Sequence, residues 1–141
     1  MDPRPVPHPT LFRLGLVGLG LIQVTDGLYA LISPRGFYDD FPLGRGWVEA
    51  IPGYNPHLVT DVGALFLATG ALMLMAALWL ERRLVLAALV TWLLFAVPHT
   101  AYHLGNLDVY DTADQVGNAV TLSLTVLVPV VLLGLLVRRP R

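Results

Sequence analysis

LVTDVGALFLATGALMLMAALWL (residues 58–80), ERR (81–83) and LVLAALVTWLLFAVPHTAYHL (84–104) follow one another without interruption, and this run decides the fold. A helix rises about 1.5 Å per residue, so roughly 20 apolar residues cross the ~30 Å of hydrocarbon in a bilayer. Both long runs reach that length. The joint Glu81-Arg82-Arg83 is so short that the two spans must be antiparallel neighbours. Working outward, Leu11–Ile32 and Val116–Val137 meet the same criterion. The expected fold is therefore all-α: a membrane-embedded antiparallel four-helix bundle over residues 11–137.

Composition agrees. Of 141 residues, 55% are hydrophobic and 13% charged, with a mean hydropathy of +0.66, whereas soluble domains carry about 25% charged residues. A net charge of −1 with no basic stripe excludes nucleic-acid binding by phosphate neutralisation. The absence of cysteine removes disulfides, thiolate metal sites and dithiol redox chemistry. All nine basic residues are arginine, which removes Schiff-base and phosphate-loop lysines.

Residues 1–10 form a tail whose alternating prolines, Pro3, Pro5, Pro7 and Pro9, favour an extended polyproline conformation. The first span is long for a signal peptide and lacks a small-x-small cleavage site, so it reads as retained. Residues 138–141 form a second, basic tail. Four spans put both tails and the 81–83 joint on one side, with Arg4, Arg13, Arg82, Arg83, Arg138, Arg139 and Arg141. The other side holds Arg35 and Arg45 among Asp39, Asp40, Glu49, Asp108, Asp111 and Asp114. The positive-inside rule then places both termini in the cytoplasm. The external connection 33–56 is long, rich in proline and glycine, and carries Phe37, Tyr38, Phe41, Trp47 and Tyr54. It reads equally as a layer on the headgroups and as a lid between helices.

Polar residues inside spans are costly and therefore informative. Asp26 lies roughly 9 Å from the external end of the first span, with Gln23 one turn deeper, and His99 lies about 8 Å from the end of the third. His57/Asp61, His99/His103 and Asp114/Asn118 are i,i+4 pairs, each on one helix face. Thr121 and Thr125 continue below Asn118, and Ala64 and Ala68 continue below Asp61. All of these occupy the external half. Those faces must turn inward, because lipid would leave the polar groups unsatisfied, and they then form a buried His/Asp cluster. Its leading interpretation is a metal site of His57, Asp61, His99, His103 and Asp26. Without thiolates the ion would be zinc, copper, iron or manganese, and a metal-dependent membrane enzyme is the activity such a centre would support. Gln23, Tyr102, Asp114, Asn118 and Thr121 would form the surrounding shell. Neither the His-Glu-x-x-His nor the Glu-x-x-His signature is present. Two alternatives stay open. One is a metal-free acid–base or binding pocket for a lipid-, sterol- or quinone-like molecule, lined by Phe66, Met73, Trp92 and Phe95. The other is a polar knot fixing helix register in a subunit of a larger membrane complex. As partners, a homo-oligomer and another membrane protein both stay open.

The stretches Tyr54-Asn55-Pro56-His57-Leu58-Val59-Thr60-Asp61-Val62-Gly63-Ala64 and Val97-Pro98-His99-Thr100-Ala101-Tyr102-His103 resemble small four-helix membrane proteins of actinobacteria. These are in turn loosely similar to the DoxX-like group. The resemblance covers the second to fourth spans best and implies a four-helix bundle in a bacterial plasma membrane, with no activity to transfer. The sterol-isomerase and sigma-2-receptor group is similar only in architecture.

Overall fold

The computed structural model describes residues 5–138. Arg4, Arg139 and Arg141, with the outer parts of both expected tails, lie outside them. The chain forms α1 (Pro9–Ile32), α2 (Pro34–Asp40), α3 (Pro56–Trp79), α4 (Arg82–Leu104) and α5 (Thr112–Val137), with one 3-10 turn at Leu107–Val109. No strand occurs among the described residues. The four long helices have 23 to 26 residues and are apolar enough to span a membrane. At about 1.5 Å per residue they are roughly 35–39 Å long. This is a membrane-type all-α four-helix bundle.

Helix boundaries follow from local chemistry. Pro9, Pro34 and Pro56 open α1, α2 and α3, where a missing N–H costs nothing and φ is already helical. Asn55 caps α3, its Oδ1 accepting from the Leu58 N–H at 3.3 Å. Asp111 caps α5 in the same way through the Asp114 N–H at 2.9 Å. That cap starts α5 at Thr112, four residues before the apolar run from Val116. Leu80 stops α3 in the left-handed region, at φ 49°, and α4 begins two residues later.

The tightest packing joins α1 to α3 through glycines one heptad apart. Gly20 faces Gly70, and Gly27 faces Gly63. A Cβ on Gly27 would lie 2.6 Å from the Leu67 backbone nitrogen and 2.7 Å from the Gly63 carbonyl oxygen. One on Gly70 would lie 2.9 Å from the Gly20 carbonyl oxygen. In lipid, where water provides no drive for helices to associate, such backbone proximity is a main source of packing energy. α4 and α5 form the second pair, joined where Trp92 Nε1 donates to the Thr125 carbonyl at 2.8 Å and Thr100 Oγ1 to that of Leu122 at 3.3 Å.

The bundle is divided along its length. Its terminal half holds the apolar core, with Phe12, Leu16, Met73, Val85, Leu89 and Leu136 fully enclosed. Arg13 and Arg82 close that end by donating to the Ala77 and Leu136 carbonyls. The loop half holds the buried polar residues Gln23, Thr100 and Asn118.

Candidate functional site

The expected metal site does not assemble. Among the described residues, no group of three or more His, Asp or Glu side chains is placed to hold a metal ion. His57 and Asp61 do share a face of α3, with Nε2 3.5 Å from Oδ2, but that face points out of the bundle. Their side chains are 83% and 61% exposed. Asp26 is only partly buried on α1. His99 and His103 are adjacent on α4 but belong to a column of rings. His99 stacks on Phe95 at 4.9 Å, and His103 meets His99 edge-on at 4.6 Å. The buried His/Asp cluster is thus replaced by dispersed groups, and no charged residue among those described is buried.

The cause lies in the phase of α3. Successive residues turn about 100° around a helix, so Gly63 and Gly70 sit roughly 200° and 180° from Asp61. Since those glycines press against α1, Asp61 must look the other way. The i,i+4 spacing establishes that His57 and Asp61 share a face, but not which one.

The space expected to hold a lipid-like ligand is filled by side chains. Met73 is fully buried, and Phe66, Trp92 and Phe95 pack on one another at ring separations of 5.2 to 6.4 Å. Two shallow grooves of about 460 and 410 Å³ lie instead on the apolar exterior, one by Val17 and Leu78, the other by Leu94 and Pro98.

What the loop half does contain is neutral and amide-rich. Gln23 is 3% exposed, and neither atom of its amide meets a hydrogen-bond partner among the described residues. Asn118 is 1% exposed with Oδ1 similarly unpaired, as is His103 Nδ1. Tyr102 is exposed on α4. Thr121, on the outer side of α5, returns its hydroxyl to the Gly117 carbonyl at 2.8 Å.

Asp114 has a role the sequence pattern did not suggest. Its Oδ1 accepts from Trp47 Nε1 at 2.7 Å and from Arg45 Nε, clamping the long connection to the start of α5. Tyr110 adds a second fastening, its hydroxyl donating to the Trp47 carbonyl at 2.8 Å. Burial pushes that phenol above its ordinary range, so it keeps its proton. The Trp47 ring lies over Gly117, where a Cβ would come within 3.1 Å of it. Further along the connection, the Arg35 guanidinium sits over the rings of Tyr38 and Tyr54, 5.7 and 4.9 Å from their centres, while Nε binds Asp39 at 2.7 Å. The connection is a fastened cap on the bundle.

A second unanticipated feature is the outward midline of α3. His57, Asp61, Ala64, Ala68, Ala71 and Met75 recur at intervals of 4, 3, 4, 3 and 4 residues, and every one is exposed. Ala64 and Ala68 share a face with Asp61, as their spacing implies, but the outer one. The outward faces of the other spanning helices are mixed: Leu14, Leu21 and Leu28 lie beside Gly18 and Thr25 on α1, Leu86, Val90 and Leu94 beside Ala87, Thr91 and Ala101 on α4, and Val120, Leu124 and Leu127 beside Thr121 on α5. What α3 adds among these four is an exposed carboxylate–imidazole pair at the head of its small-residue face.

No family model, no curated protein and no solved structure matches the chain.

Proposed function

We propose that the protein works by lateral association in a bacterial plasma membrane, with the outward face of α3 as a packing surface for another transmembrane helix. The carrying observation is the exposed His57–Asp61 pair at the head of an alanine-lined midline. Asp61 lies five residues into α3, roughly 7.5 Å below its start. A carboxylate facing lipid at that depth is costly, and a short side chain has little reach toward the headgroups. A neighbouring helix relieves that cost, and alanines let its backbone approach closely. The proposed orientation puts the capped loop end outside and both termini in the cytoplasm, supported by Arg13, Arg82, Arg83 and Arg138 at the terminal end.

The chain has no cysteine, so single thiols report cleanly. Ala68→Cys and Leu124→Cys, each carrying a benzophenone maleimide, would be irradiated in native membranes. Association through α3 predicts protein adducts several-fold more abundant from position 68 than from position 124. Equal yields would sink the proposal.

A further inference from the structure

We infer that the exterior groove between α1 and α3 at the terminal end seats one anionic phospholipid, its phosphate on Arg13 and an acyl chain along the apolar wall. This goes beyond the helix contact proposed above and does not depend on it. The groove has a volume of about 460 Å³ and is lined by Arg13, Val17, Leu74, Ala77 and Leu78. It lies on the terminal side of the Gly20–Gly70 contact, and Leu74 rests against Gly20, so the groove begins where that contact ends. From there Val17 forms one wall, and Leu74 and Leu78 form the other. Unlike the groove by Leu94 and Pro98, this one carries a charge.

Charge, depth and shape identify the occupant. Arg13 Nε donates to the Ala77 carbonyl at 3.3 Å, which holds the guanidinium at the groove. No carboxylate among the described residues pairs with it, whereas Arg35 and Arg45 at the loop end are matched by Asp39 and Asp114. Ala77 lies two residues before Trp79, an exposed indole, so the guanidinium sits about 3 Å from the level of an interfacial anchor. Phosphates lie at that level, and their oxygens match the fork of a guanidinium. Val17 and Leu74 are about one turn deeper, so a molecule held at Arg13 meets an apolar wall leading into the hydrocarbon. A soluble anion would leave that wall bare, and an acyl chain covers it. The other charges at this end, among the described residues, are Arg82, Arg83 and Arg138 against Glu81. That balance favours a headgroup of net negative charge over a zwitterion.

The test uses the full-length chain, stripped of lipid in mild detergent and given back phosphatidylglycerol or phosphatidylcholine. Native mass spectrometry would count the lipid retained, and circular dichroism would establish that each variant is folded. A single phosphatidylglycerol should stay bound, several-fold more persistently than phosphatidylcholine. Arg13→Gln should weaken its retention about tenfold, the loss of a charge-assisted contact. Val17→Trp, which fills the groove and keeps every charge, should weaken it comparably. Arg83→Gln removes the same charge outside the groove and should leave retention nearly unchanged. Phosphatidylglycerol should also raise the unfolding temperature, and inorganic phosphate alone should not. Equal losses in Arg13→Gln and Arg83→Gln would reduce the effect to diffuse charge and overturn the seat. Val17→Trp retaining as much lipid as the unaltered chain would overturn the acyl groove. Phosphatidylcholine held as firmly as phosphatidylglycerol would overturn the anionic headgroup, and stabilisation by inorganic phosphate would replace the lipid with a soluble anion. If Arg13→Gln does not fold, Val17→Trp and the headgroup comparison decide the matter. None of these outcomes alters the α3 contact, which is read by adducts from position 68.

Discussion

Gly27 shows how much of this fold depends on a missing side chain. A methyl group there would lie 2.6 and 2.7 Å from backbone atoms of α3, which have nowhere to go. Gly27→Ala should therefore destabilise the bundle by about 1–3 kcal/mol, the usual range for overpacking a tight contact. Gly18 is a control on the same helix, since nothing lies within 4 Å of its absent Cβ. Gly18→Ala should be neutral or stabilising by up to ~1 kcal/mol, the helix-propensity gain. Thermal unfolding of both variants in one detergent compares them directly, and equal losses would refute the glycine contact. Gln23 presents the reverse case. Both of its amide atoms are enclosed without a partner among the described residues, and an unsatisfied buried polar group costs about 1–3 kcal/mol. Gln23→Leu should accordingly raise the unfolding temperature. A lowered one would mean that the amide is satisfied within the folded protein.

At the scale of elements, the four spans were legible because length and apolarity alone define them. The facing of α3 was not legible from its polar pairs, which describe one helix in isolation. Orientation is set between helices, and the residues that set it, Gly20, Gly27, Gly63 and Gly70, carry no chemistry to draw the eye. Their matching heptad spacing on two spans was the available signal. The clamp on Asp114 escaped for a related reason: Arg45 and Trp47 lie 69 and 67 positions away in sequence, and no local period connects them. That clamp has a measurable consequence. Asp114→Ala removes the acceptor of the Trp47 indole, a bond that the carboxylate's charge strengthens. Arg45 adds little, because it is half-exposed. Amide exchange across residues 41–50 should speed up about tenfold or more, while α1 and α3 keep their protection. Unchanged exchange in the connection would show that Tyr110 holds it alone.

For the whole molecule, the division into two halves matters more than any single side chain. An apolar core with arginines bound to helix-end carbonyls closes the terminal end, while an aromatic connection is fastened to the start of α5 at the other. That asymmetry fits insertion in one direction. Arginine is retained on the cytoplasmic side during insertion, and at the loop end both arginines are neutralised locally, Arg35 by Asp39 and Arg45 by Asp114. The proposed orientation can be checked with two more single cysteines. Leu43 stands fully exposed at the tip of the connection, and Arg83 lies exposed at the opposite end. In intact cells, a membrane-impermeant maleimide should label Leu43→Cys and leave Arg83→Cys untouched until the membrane is opened. The reverse pattern would put the cap in the cytoplasm and overturn the topology. It would leave the α3 contact proposed above untouched, because a packing face that runs along the membrane normal serves equally well in either direction of insertion.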